Sequence, residues 1–196
     1  GDPRSTVDAG FGQAVALATR LLVIGAPEDD AVATNAGSAL VFVASAEGAN
    51  THNRTASTTA AQTPWTFRRR LTSLDAGVPA SDAAFDAFGA AVAASDDDIV
   101  AVGAPFADEE HGGGVVATRA GACFVYRLVG EGGPSAASSE QQDVAFVQRL
   151  TAPDAAAHAQ FGHAVDVGGR VIAVGAPWHA AQGAVYVFVD TTSTRV

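Results

Sequence analysis

The chain has 196 residues, 48% of them hydrophobic and only 16% charged, which excludes a disordered chain. No apolar run reaches the roughly 18 residues of a membrane-spanning helix, so direct membrane insertion is not expected. Eleven Lys and Arg against 21 Asp and Glu give a formal net charge of −10, the wrong balance for tracking nucleic-acid phosphates.

In chain order, the same short elements recur three times. Phe11-Gly12 is followed by Gly25-Ala26-Pro27, Phe88-Gly89 by Gly103-Ala104-Pro105, and Phe161-Gly162 by Gly175-Ala176-Pro177. Between each pair lie a short run of small residues, a polar or glycine turn, and a continuous apolar run (21–24, 99–102, 171–174). The runs suit buried strands, the turns suit hairpins, and the proline suits a strand end because it cannot donate to a ladder. A third strand begins at Gly37, Gly121 and Gly183, and a fourth at Phe67 and Phe146. No stretch has a helical period with caps.

Four antiparallel strands per unit, repeated, make the pattern of a propeller blade, with small residues near the axis and aromatic residues outside. The units resemble FG-GAP repeats, the blades of integrin alpha-chain-like β-propellers. The resemblance implies an all-β fold of three four-stranded antiparallel blades within one repeat domain, 1–196. Blade one spans 11–71, blade two 88–150, and blade three 161–190, the last lacking its outer strand; eleven strands are expected. The phenylalanine would wedge between blades, and its glycine would permit close backbone approach.

Three blades fall short of the four to eight of a closed ring, so apolar faces are expected at both ends. The chain is then a segment of a longer propeller, a self-associating one, or an open array. The expected partners are the remaining blades of a longer chain or a second copy of itself.

The resemblance implies a non-enzymatic binding or adhesion module, extracellular or at the cell surface, that recognises a protein or glycan. The connections from GAP to the third strand differ most in length, 12, 18 and 8 residues from glycine to glycine. Variable loops on a constant scaffold are where recognition concentrates. They carry Glu28, Asp29 and Asp30, then Asp108, Glu109, Glu110 and His111, then Trp178 and His179, read as an acidic rim with an exposed tryptophan. Asp75, Asp82, Asp86, Asp154 and His158 are expected on the same face.

No cofactor is expected. Calcium-binding members of the family use an acidic loop between the first two strands, but these loops are too short here; only Asp96 and Asp98 are weak metal candidates. Cys123 falls in a third strand as a core thiol. Asn53 begins an Asn-x-Thr glycosylation pattern. Arg68-Arg69-Arg70 is expected to guard an exposed strand edge. Two alternatives stand beside the binding module. One is a propeller enzyme or an enzyme's accessory propeller, with Asp166 on an innermost strand; the other is a structural assembly block.

Overall fold

A computed structural model describes residues 9–44, 65–111, 114–129 and 144–189. Three antiparallel sheets follow one another along the chain. The first contains β1 (Ala14–Leu17), β2 (Leu21–Ala26), β3 (Ser38–Ala44) and β4 (Trp65–Leu71), paired in that order. The second contains β5 (Ala91–Ala94), β6 (Ile99–Ala104), β9 (Ala122–Leu128) and β10 (Val144–Leu150). The third contains β11 (Ala164–Gly168), β12 (Val171–Ala176) and β13 (Ala184–Val189). The remaining strands, β7 (Glu109–His111) and β8 (Gly114–Ala117), form a small hairpin inside the second long loop. The expected eleven strands are thus present, with two more where an 18-residue connection had been read as a plain loop. Asn53 and the loops around it lie outside the described residues.

Each repeat is a meander because turns of a few residues join its first two strands, and its apolar run is buried on both faces in the middle blade and on alternate residues in the third. β6 is buried along its whole length. β2, β6 and β12 all stop at the alanine before the GAP proline. The innermost strands β1, β5 and β11 neighbour one another, and their alanines allow that approach.

The core lies between the sheets. Leu21, Val23, Val41 and Leu71 of the first pack against Phe88, Val100, Val102 and Phe124 of the second. Ala101, Cys123 and Val125 of the second pack against Phe161, Ile172 and Val174 of the third. Cys123 is a buried thiol, pushed up to about 12 by loss of solvent.

Each sheet-to-sheet joint is also stitched through the backbone. Phe85, Ala87 and Phe88 donate their N–H groups to the carbonyls of Thr34, Asn35 and Ala36. His158, Gln160 and Phe161 donate in the same way to Thr118, Arg119 and Ala120. The approach is so close that a Cβ at Gly25 would lie 2.0 Å from the Gly89 carbonyl oxygen, and one at Gly103 2.0 Å from that of Gly162. The glycine of Phe-Gly and the glycine of GAP are therefore two halves of one contact.

The phenylalanine wedges its ring into this joint. Phe88 sits 5.2 Å from the Phe124 ring and Phe161 5.4 Å from the Tyr186 ring, and both are 0% exposed. Phe11, at the same place in the first repeat, is 45% exposed.

The arginine run is not a bare charged edge. Arg69 donates to the Val144 carbonyl of the second sheet at 2.7 Å and pairs with Asp75. Arg70 lies 3.5 Å from the Asp29 carboxylate. Between them these side chains tie β4 to the next sheet and to the first loop.

Phe88→Ala or Phe161→Ala should cost about 3–5 kcal/mol, the usual cost of emptying a packed aromatic site. The exposed Phe85→Ala should stay within about 0.5 kcal/mol. Urea denaturation of the three variants against the parent chain checks both values.

Candidate ligand-binding face

The loops that leave β2, β6 and β12 emerge on one face, and the acids expected to form its rim divide into two groups. Asp29 is 1% exposed and does not reach solvent. Its carboxylate accepts the Ser38 hydroxyl at 2.5 Å and the Ala31 N–H at 3.0 Å, and it faces Arg70. Asp30 is exposed but accepts the Asn35 N–H at 2.7 Å, closing the first loop on itself. Asp108 does the same for the second loop, accepting the Arg119 N–H at 2.7 Å. Asn35 and Arg119 stand two residues before Gly37 and Gly121, with φ of 48° and 49°. The two aspartates thus hold equivalent left-handed residues in place.

Glu109 is buried beside Arg149, 3.5 Å away, whose guanidinium also donates to the Asp108 carbonyl. Glu110 and His111 contribute backbone to β7. Glu28 is exposed, as is Trp178. Of the second set, Asp75 is held by Arg69 and by the Thr72 N–H, Asp86 is buried, and Asp82 is exposed. The acidic rim is therefore mostly internal scaffolding for the loops, because carboxylates beside free N–H groups satisfy them before they serve a ligand.

His179 and Asp154 do meet: Nε2 lies 3.3 Å from Oδ2. Tyr186 joins them, its hydroxyl donating to Asp154 at 2.6 Å. The Tyr186 bond holds the Asp154 carboxyl below its usual range, while lost solvation and the neighbouring carboxylate raise Tyr186 to about 12. His158 is exposed, and its backbone N–H donates to the Thr118 carbonyl across the joint between the second and third sheets.

The weak metal pair does not converge. Asp96 accepts the Thr19 N–H at 2.8 Å, a bond that lowers its pKa, and Asp98 lies 3.9 Å from Arg20. Both reach to the turn of the preceding blade. Among the described residues no three His, Cys, Asp or Glu side chains form a metal-sized group. Asp166 is exposed on β11 and accepts the Val167 N–H.

What the structure does bring together is a cavity of about 510 Å³ where the loops of all three blades meet. Gln13, Glu28 and Asn35 come from the first blade, Phe106 and Arg119 from the second, and His163 from the third. Phe85, from the connection between the first two, closes one side. The Arg119 guanidinium lies over the Phe106 ring, 5.4 Å from its centroid. Phe85 is exposed with a φ of 66°, a conformation costly for an aromatic residue and held by its N–H bond to Thr34. Of the cavity residues, Glu28 is a named candidate from sequence, and Asn35, Phe106 and Arg119 lie in the variable loops 28–36 and 106–120 that the sequence marks as the contact surface. Gln13 and His163 read as strand residues, although each directly follows a Phe-Gly pair, and that shared position was the available signal.

The FG-GAP repeat family model matches residues 6–42 and 144–188. The first match covers the opening strands of blade one, and the second runs from β10 through most of β13. No curated protein matches the chain.

Two outcomes test this description. Asp29→Ala should cost about 1–3 kcal/mol, because Ser38 loses a buried acceptor; thermal unfolding measures it. Tyr186 should ionise near pH 12, and Asp154→Ala should bring that titration down toward the ordinary value, leaving the higher Tyr126 transition in place. The raised pKa also means that Tyr186 stabilises the fold below pH 10, an advantage lost as pH rises toward 12. Ultraviolet titration of tyrosinate follows both residues.

Proposed function

The chain belongs to the FG-GAP repeat family, and on that premise we propose that it is a non-enzymatic binding module of an extracellular or surface protein. Such repeats are propeller-type modules common in adhesion and extracellular proteins, and no helix among the described residues is long and apolar enough to cross a membrane.

The observation that carries the reading is the cavity shared by the three blades. It combines an exposed aromatic face (Phe85), an Arg–Phe stack (Arg119 on Phe106), a carboxylate (Glu28) and two amides (Gln13 and Asn35). A concave site with an apolar wall and a few convergent polar groups is the usual form of a ligand pocket. The aromatic wall and bidentate amides fit a sugar ring or an extended peptide. The ligand is thus a glycan or a protein segment. Its recognition centres on this cavity rather than on an acidic rim, and exposed Trp178 lies on the flanking third loop.

The test is a glycan array and a displayed peptide library probed with the parent chain. Enriched ligands should bind at least tenfold more weakly to Phe85→Ser and to Arg119→Ala, both with parental circular dichroism. Ligands that bind both variants like the parent would move the site away from this cavity. The same ligands should be indifferent to Asp166→Asn, which the enzyme reading would make central.

A further inference from the structure

The basic residues of this chain are all arginine: the 11 Lys and Arg include no lysine, and they face 21 Asp and Glu. In so acidic a chain a guanidinium finds a carboxylate readily. Arg20 lies beside Asp98, Arg69 beside Asp75, Arg70 beside Asp29 and Arg149 beside Glu109. Arg119 breaks this pattern. Its backbone N–H is bound by Asp108, yet its exposed guanidinium has no hydrogen bond or ion pair among the described residues. It rests only on the Phe106 ring, 5.4 Å from the centroid.

The backbone beneath this group is fixed. Arg119 has a φ of 49°, its N–H is taken by Asp108, and its carbonyl accepts the Gln160 N–H of the next blade. A guanidinium stacked on a ring keeps its fork of N–H donors open at the edge. Arg119 is therefore a pre-placed donor fork in the cavity wall, and pre-placement lowers the ordering cost that a ligand must overcome.

Glu28 lines the same cavity of about 510 Å³, is exposed, and makes no ion pair with Arg119. The wall thus presents an open cation and an open carboxylate at once. Gln13 and Asn35 add amides, His163 adds a ring N–H, and Phe85 adds a ring face that is 55% exposed. The matching ligand has a carboxylate for the guanidinium fork and hydroxyl donors for Glu28 and the amide oxygens. It also has a flat apolar face for Phe85.

Resting on the reading of this cavity as a ligand site, we propose that it receives an acidic sugar residue of a glycan, with the sugar carboxylate on Arg119. A uronic acid carries the carboxylate, the hydroxyls and the apolar ring face on one rigid unit. An acidic peptide supplies the carboxylate but sets no ring of hydroxyls against Glu28. A run of acids, or a heavily sulfated chain, also meets the repulsion of a net charge of −10, and a single fork serves a single carboxylate.

Isothermal titration calorimetry of the 196-residue chain tests this with two disaccharides that differ at one group, one ending in glucuronic acid and the other in glucose. A tetraglutamate peptide is the third probe. The glucuronate should bind at least about tenfold more tightly than its glucose counterpart, the scale of one charge-assisted hydrogen-bonded pair. Arg119→Gln should abolish that preference and leave the weak glucose binding unchanged. Arg119→Lys, which keeps the charge and loses the fork, should fall between the two. Phe85→Ser should weaken both sugars, with circular dichroism unchanged in every variant. Equal binding of the two sugars, lost in Phe85→Ser, would overturn the carboxylate assignment and leave the cavity reading standing. A preference that survives both Arg119→Gln and Phe85→Ser would overturn the cavity reading as well. Tetraglutamate binding tighter than either sugar would overturn the sugar in favour of an acidic peptide, and binding of none of the three probes would overturn the acidic-sugar assignment.

Discussion

The fold depends on one short backbone contact, made twice. The glycine after each internal phenylalanine presses its carbonyl against the GAP glycine of the preceding blade, with no room for a Cβ on either side. That approach brings the flanking segments close enough for three N–H···O bonds and seats the phenylalanine between two sheets. The valines, alanines and leucines of the core then have a fixed surface to pack on. Motif and fold are the same physical fact: the residues that recur are those the joint cannot replace.

A single blade buries too little to stand alone, as in other repeat architectures, where the interfaces between neighbours carry much of the stability. Blade two has a joint on each face, while blades one and three have one each among the described residues. The exposed valines of β13 and the exposed Phe11 follow from that arithmetic rather than from any special surface function. The same logic explains why Arg69 reaches across to Val144 and Arg20 to Asp98: polar side chains at the rim of a joint reinforce it where the apolar core runs out.

The repeats made the architecture legible, because glycine and proline report backbone constraints that do not depend on distant context. The strand order, the buried Cys123 and the wedged Phe88 and Phe161 all follow from aligning three copies. The β7–β8 hairpin was not legible, since it occurs in one copy only and its sequence, Glu109-Glu110-His111 before a glycine run, lacks an apolar alternation. The roles of the acids were not legible either. Asp29 and Glu28 are neighbours of similar chemistry, yet one is buried on Ser38 and the other faces the cavity. Only the course of the loop separates them. Arg68-Arg69-Arg70 does lie on an edge strand, as its charges suggest, but the sequence could not show that Arg69 also reaches Asp75 and Val144 and Arg70 reaches Asp29.

The loops show how a rigid joint and a variable surface coexist in one segment. Asn35, Arg119 and Ala181 occupy the same left-handed position although the preceding connections differ widely in length. Whatever a loop does before this point, it must re-enter the joint two residues before the glycine. Asp30 and Asp108 enforce that re-entry by capping the turn from different distances in sequence, five and eleven residues upstream. The side chains at the re-entry point are not fixed by the backbone demand. Asn35 and Arg119 both project toward the shared cavity, and the chemistry of its wall can therefore change while the blade contact stays intact. A scaffold that separates its packing constraint from its surface chemistry in this way suits recognition, because substitutions that retune the cavity do not have to be compensated in the core.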